Sequence, residues 1–113
     1  MRLGGNLFAR LLPDAAVECC DDLFGNRAAR IERIVSLGQA TPEGEWLDQD
    51  RDEWVVLLQG AAKLQFADEI SPRTMRPGDW VAIAAHVRHR VAWTEPQAAT
   101  VWLAVHISVD AAA

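Results

Sequence analysis

The sequence predicts one all-β domain, a closed barrel or a two-sheet sandwich, preceded by a short helix. Short runs rich in Val, Ile and Leu alternate with turn residues from Arg30 onward. The chain has 113 residues, enough for one hydrophobic core, and its 50% hydrophobic and 24% charged content is typical of a globular protein. We therefore expect a single domain over 1–113, with a helical brace at 1–29, a β-barrel at 30–107 and a frayed tail at 108–113.

The helix is expected at 14–24. Its apolar residues Val17, Cys20 and Phe24 recur at near-helical spacing, and Gly25-Asn26 supplies a stop signal. Such a helix would brace or cover one side of the β-domain.

Six strands are predicted in the rest of the chain. The continuous apolar run 54–58 is typical of a strand covered on both faces, whereas the alternation within 62–66 indicates a half-buried strand. Turn signals separate the runs, which are 31–37, 54–58, 62–66, 80–84, 89–94 and 100–107.

Charge, hydropathy and cysteines limit the partners and the compartment. The net charge of −5 argues against nucleic acid as the main partner, because phosphate binding needs a basic surface. Apolar runs are far shorter than the roughly 20 residues of a membrane-spanning helix. Cys19 and Cys20 are adjacent, so we expect reduced thiols, as in a cytoplasmic protein.

Two segments resemble the two sequence motifs of the cupins. The segment 53–60 is similar to the end of the first motif, a glutamate followed after a six-residue gap by glycine. The segment 78–89 is similar to the second, in which Gly-Asp opens a strand that leads to a histidine. The resemblance covers roughly 30–107 and is strongest to small single-domain bacterial cupins. It implies a cupin-type jelly-roll β-barrel.

The resemblance also implies a divalent metal ion (Fe, Ni, Mn or Zn). This chain departs from the ligand pattern that usually holds that ion. Of the four usual ligands only Glu53 and His89 carry over, and neither histidine of the usual pair is present. The pair falls on Leu47 with Gln49 or on Trp46 with Asp48. The expected metal ligands are therefore Glu53, His89, His86 and Gln49, with His86 also open to a surface or loop-bracing role.

Strand alternation predicts which side chains face the interior. Glu53 either faces inward with Val55 and Leu57, which turns Trp54, Val56 and Leu58 outward, or marks only the solvated start of its strand. His89, Val91 and Trp93 alternate on one face, which is expected inside because placing Arg90 outside avoids burying its charge. His89 is then either a ligand or proton carrier in the lumen or a hydrogen-bonded core histidine. We expect Glu53, His89, Trp93 and Gln49 to line the lumen.

His106 is expected outside the lumen or at its rim. The opposite face of its strand is uniformly aliphatic and is the natural core side; its residues are Val101, Leu103, Val105 and Ile107.

Two clusters of charge have alternative interpretations. Four arginines near the second motif could hold an anionic ligand at the barrel mouth or pair with acids across strands; they are Arg73, Arg76, Arg88 and Arg90. The acidic run 48–53 could be a solvated loop or a metal-attracting patch.

The leading functional hypothesis is a cupin whose lumen binds a small organic ligand. A weakly held metal would then support oxygenase- or isomerase-type chemistry, with no catalytic residue assigned. The alternative is a non-catalytic cupin that has lost its metal site and acts as a ligand-binding or dimeric assembly module. A homodimer is expected, joined through the outward Trp54, Val56 and Leu58.

Overall fold

The computed structural model describes residues 3–109, which form eight strands and no helix. The strands make two antiparallel sheets, in the orders β1-β2-β8-β3-β6 and β5-β4-β7. The all-β prediction is confirmed, but the two sheets face each other without closing into a continuous barrel. The strands are β1 (Cys19–Gly25), β2 (Ala29–Ser36), β3 (Asp52–Gln59), β4 (Ala62–Phe66), β5 (Arg73–Met75), β6 (Trp80–Ile83), β7 (His89–Thr94) and β8 (Thr100–Ile107).

The helix predicted at 14–24 is wrong, because most of this segment is the edge strand β1. β1 pairs with β2, and the Asp21 carboxylate accepts two hydrogen bonds from the Arg33 guanidinium, at 2.8 and 3.2 Å. An acid this near a helix C-terminus would oppose the helix dipole, whereas the hairpin gives it a cationic partner. Gly25 and Asn26, predicted to stop that helix, instead end β1 and form the turn into β2, where the Asn26 side-chain oxygen accepts from the Ala28 and Ala29 amides.

The interior lies between the two sheets. On β3, Glu53, Val55 and Leu57 are buried while the residues between them are half-buried on the outer face. The apolar core continues from Val55 and Leu57 into β4 and β5, and its members from these two strands are Ala62, Leu64, Phe66 and Met75.

The expectation for β8 is wrong: Trp102, Ala104 and His106 face the interior. All three are buried, while Leu103 and Val105 on the aliphatic face are half-buried on the outside of the sheet. The aliphatic residues pack on the outer face instead, opposite Arg33 and Ile31 of β2. Side-chain alternation defines two faces but does not say which one is covered by a second sheet.

A β-bulge in β7 reverses the predicted orientation of Trp93. Val91 pairs with Leu64 and Trp93 with Lys63, so Ala92 is an extra residue without a partner on β4. The alternation changes phase at this point. Trp93 is therefore 38% exposed and Thr94 is buried.

Gly60 fixes the tight connection between β3 and β4. Its φ is +94°, and a β-carbon there would lie 2.4 Å from the Thr100 hydroxyl oxygen, so no other residue fits without rearrangement.

None of the described residues belongs to a helix long and apolar enough to cross a membrane. The thiols of Cys19 and Cys20 are both free. Of the predicted frayed tail, residues 110–113 lie outside the described part of the chain.

Candidate functional site

One end of the space between the sheets is an open cavity of about 240 Å³. It reaches the surface beside Cys20, which is exposed. Its polar wall is formed mainly by β2, β3, β7, β8 and the loop before β3. The side chains on this wall that carry the chemistry are Arg30, Glu32, Gln49, Glu53, His89 and His106.

Glu53 and His89 face each other from the two sheets. The Glu53 Oε1 atom lies 3.8 Å from His89 Nε2, and the two residues are only 9% and 3% exposed. His89 Nδ1 lies 2.8 Å from the Val87 carbonyl oxygen. Because a carbonyl only accepts, Nδ1 carries the proton and donates it, so in neutral His89 the Nε2 lone pair faces Glu53.

His106 joins this pair from β8. Its Nε2 atom lies 4.0 Å from Glu53 Oε2 and 3.2 Å from Glu32 Oε1. Glu32 comes from β2, where it shares the inward face with Arg30 and Ile34. Glu53 thus lies among three other ionisable side chains, each from a different strand.

Burial raises the pKa of the Glu53 carboxyl above its usual range. Removal from water is the main cause, and the neighbouring Glu32 charge adds to it, while His106 and His89 act in the opposite direction. No described residue comes within hydrogen-bonding distance of either carboxyl oxygen. The wall of the cavity therefore holds a largely buried carboxyl group that lies near two imidazoles, accepts no hydrogen bond from the described residues and has an increased affinity for a proton.

Gln49 is placed on the cavity wall by a short bridge between its loop and β7. The Leu47 amide donates to the His89 carbonyl at 2.7 Å, and the His89 amide donates back to Leu47 at 3.1 Å. The His86 amide donates to the Gln49 carbonyl at 2.7 Å. These backbone contacts fix the loop next to the Glu53–His89 pair.

Comparisons with known proteins agree with this architecture. The family model described as "Cupin domain" matches residues 34–106. The chain belongs to the cupin family. A comparison with curated proteins gave no match.

This cupin is also similar to several solved structures. It is 46% identical to a "putative mannose-6-phosphate isomerase" from Ralstonia eutropha JMP134, covering 96% of this chain and 100% of that one with a TM-score of 0.92. A conserved protein of unknown function from Streptococcus pyogenes is 16% identical, with coverages of 96% and 89% and a TM-score of 0.74. A cupin superfamily protein from Desulfitobacterium hafniense is 17% identical, with coverages of 84% and 81% and a TM-score of 0.69. The last two show the fold alone.

The structure does not bring together the metal ligands expected for this cupin. Glu53, His89 and Gln49 are on the cavity wall, but His86 is on the surface, where its Nδ1 lies 2.8 Å from Asp48 Oδ1. Residues 3–109 contain no group of three or more His, Cys, Asp and Glu side chains arranged to hold a metal ion. The donors present do not fit a metal centre, and metal binding stays a prediction.

His86 lies in the turn between β6 and β7 with a left-handed backbone, at φ +66°. Its side chain is directed away from the lumen because the Asp48 contact and the turn hold it at the surface. The predicted metal role of His86 is therefore not supported by its position, and the predicted lumen role of Trp93 fails because of the Ala92 bulge.

The arginines near the second motif also lie outside the cavity. Arg73 forms an ion pair with Glu69, Arg88 lies over the Trp46 ring, and an Arg90 Nη donates to the Thr41 carbonyl. Among the described residues, the one guanidinium on the cavity wall is that of Arg30 in β2, which the sequence analysis did not select. No sequence signal distinguished it, because its position opposite His106 of β8 appears only in the register of the strands.

Cys20 lies at the opening but is poorly suited to act as a nucleophile. Its partial burial, with the charges of Glu32 and Glu18, raises the pKa of the thiol from 9.0 to about 11. The reactive thiolate is therefore scarce at neutral pH.

Proposed function

We propose that this cupin binds a small polar organic molecule in its lumen and isomerises it by proton transfer. The supporting observation is the Glu53–His89 pair: a buried carboxyl without a hydrogen-bond partner, 3.8 Å from an imidazole nitrogen, on the wall of a ligand-sized cavity. Buried polar groups normally have partners, so a ligand group that supplies one would be bound favourably.

The pair can act as a complementary acid and base. The neutral His89 Nε2 takes a proton from a carbon next to a carbonyl group, and the protonated Glu53 carboxyl gives its proton to the carbonyl oxygen. The ligand becomes an enediol, and the reverse transfers on the neighbouring carbon and oxygen return both protons. No electrons leave the ligand, so the reaction needs no oxidant or reductant.

Glu32 and His106 position Glu53 in this scheme. The 3.2 Å contact with Glu32 orients the His106 ring. The Nε2 atom of that ring lies 4.0 Å from Glu53 Oε2. The other edge of the carboxyl is then directed at His89 and the ligand space. His106 and Glu32 are positioning residues, since the transfers use Glu53 and His89.

The Ralstonia eutropha relative supports the reaction class. That protein is described as an isomerase, and a sugar isomerisation moves hydrogen within one molecule with no net oxidation. This scheme assigns no step to a metal ion, because the His, Cys, Asp and Glu side chains of residues 3–109 do not converge on one point.

The test is hydrogen exchange in deuterium oxide. Aldoses, ketoses and hydroxy acids are incubated with the protein, and deuterium at the carbon next to the carbonyl is followed by NMR. Exchange should occur with at least one compound and fall by about a hundredfold or more in Glu53→Gln and in His89→Gln. The matched control is the surface pair, in Asp48→Asn and His86→Gln, where exchange should be unchanged.

Three results would contradict the proposal. Exchange with none of the compounds favours the non-catalytic binding module, and exchange that survives Glu53→Gln removes the acid from the scheme. Exchange that is lost with a chelator and restored by added iron, nickel, manganese or zinc would show a metal-dependent reaction instead.

We also propose that the chain forms a homodimer through the outer face of the five-stranded sheet. Trp80 is 59% exposed there, and its ring centroid lies 6.0 Å from that of the half-buried Trp54. Large exposed aromatic surfaces are typical of interfaces. Light scattering should give a dimer for the native chain and a monomer for Trp80→Lys, and a native monomer at micromolar concentration would contradict the proposal.

A further inference from the structure

The charge of the cavity wall limits which molecules the lumen can accept. Among the described residues, three carboxyl groups line it, from Glu18, Glu32 and Glu53, with one guanidinium from Arg30 and two imidazoles. The Arg30 charge is itself partly balanced, because its Nε atom lies 3.8 Å from the Asp22 carboxylate. That Nε atom is buried and has no hydrogen-bond partner among the described residues.

The three carboxyl groups are not equally engaged. Glu18 accepts a 2.6 Å hydrogen bond from the Ser36 hydroxyl, and Glu32 faces His106 at 3.2 Å. Glu53 accepts none from the described residues, although its side chain is nine-tenths buried and faces the cavity. A buried acceptor of this kind favours a ligand that brings a hydrogen-bond donor.

The neighbouring groove has the same sign of charge. It shares Glu18, Leu47 and Val91 with the lumen and adds Glu45 and Trp46. None of the described residues that line this groove is a Lys, Arg or His. The Trp46 ring already has the Arg88 guanidinium above it at 5.8 Å, which is the arrangement of a cation on an aromatic face.

We propose that the lumen selects a small molecule that carries a protonated amine and rejects dianionic phosphate esters, with Glu18 and Glu32 as specificity-determining residues. This inference rests on the proposed function in that it takes the same lumen as the ligand site. A phosphate dianion would meet the carboxylates of Glu18 and Glu32 and one partly balanced guanidinium. An ammonium group would be attracted by the same two charges and could also donate a hydrogen bond to the Glu53 carbonyl oxygen.

The experiment compares three sugars that differ in charge: mannosamine, mannose and mannose 6-phosphate. The reporter is the Trp102 indole N–H, which lies on the cavity wall and donates to Ser36 Oγ at 3.3 Å. Its NMR signal is assigned with Trp102→Phe and followed during titration of each sugar. Mannosamine should bind about tenfold or more tightly than mannose, and mannose 6-phosphate should leave the signal unmoved.

Charge-neutralised variants test the two residues directly. Glu18→Gln and Glu32→Gln should each weaken mannosamine binding by about five- to tenfold, a larger loss than either variant causes for mannose. High salt should act in the same direction. The matched control is Asp68→Asn, which removes the same charge from an exposed position outside the lumen and should change nothing.

The inference is overturned if mannose 6-phosphate binds as tightly as mannosamine, if both variants bind mannosamine like the native chain, or if mannosamine does not bind. Mannosamine binding without deuterium exchange would uphold the inference and contradict the proposed chemistry. Deuterium exchange on mannose 6-phosphate with no binding of mannosamine would uphold the proposed chemistry and contradict the inference.

Discussion

Two of the acid–imidazole pairs among the described residues lie in different surroundings. His86 and Asp48 meet at the surface with a 2.8 Å contact and side-chain exposures of 69% and 50%. His89 and Glu53 meet in the lumen at 3.8 Å, with exposures of 3% and 10%. The shorter contact belongs to the pair that water can replace, and the longer one to the pair that water hardly reaches.

The difference shows that solvent access, more than separation, gives an ionisable pair its chemical use. Water screens the surface charges and competes for their hydrogen bonds, so the close contact contributes little. In the lumen the Glu53 carboxyl has lost its water without gaining a hydrogen bond, which raises its pKa and leaves it available to a ligand. The three predictions below compare the same kinds of substitution in the two pairs.

The largest difference in stability between the two pairs is expected when each imidazole is removed. His89→Ala should lower the free energy of unfolding by about 2 kcal/mol, because it removes the buried ring beside Phe66 and the hydrogen bond to the Val87 carbonyl. His86→Ala should change it by less than about 0.5 kcal/mol. Both values come from urea denaturation, and equal costs at the two positions would contradict the comparison.

A smaller effect of opposite sign is expected for Glu53→Gln. The raised pKa means that folded Glu53 keeps its proton to higher pH than the unfolded chain does, so this residue reduces stability as pH rises above about 4.5, the ordinary value. Replacement with the neutral amide should raise the free energy of unfolding at neutral pH by about 1 kcal/mol.

The pH profile distinguishes this cause from a change in packing. Native chain and Glu53→Gln should have similar stability well below the ordinary glutamate pKa and diverge as pH rises, when thermal unfolding is measured across the acidic to neutral range. A constant difference at every pH would assign the change to packing, and a less stable variant at neutral pH would contradict the raised pKa.

The smallest effect is expected for Asp48→Asn, the surface counterpart of that substitution. Its free energy of unfolding should stay within about 0.5 kcal/mol of the native value, since the pair is solvent-exposed. Adding salt should reduce even this difference. A loss as large as that of His89→Ala would mean that the loop contacts around His86 stabilise the fold through this pair.

Much of the fold could be predicted from local pattern. Strands β7 and β8 begin and end where the alternation and turn residues indicate, and the inward direction of Glu53 follows from its strand. β5 was missed because a strand of three residues is too short to show alternation. β1 was mistaken for a helix because its pattern is weak, and only its pairing with β2 determines its conformation.

The site was harder to predict because it depends on which face of a strand is covered. On β8 the aliphatic face looked like the core, but the face with Trp102 and His106 meets the second sheet. Glu32 was not selected for the same reason, since its position opposite the inward face of β8 appears only in the register. Long-range pairing supplied these members of the site, and one sequence does not contain that information.

The unpaired Ala92 has a consequence for how this family can diverge. Val91 lies opposite Leu64 and Trp93 opposite Lys63, so Ala92 is an addition between two regular pairs. Loss of this one residue would leave both pairs in register, with the Trp93 indole still on the outer face of the sheet. A descendant could therefore lose the codon for Ala92 and keep its binding chamber, whereas a large side chain in place of a lumen residue would fill that chamber directly.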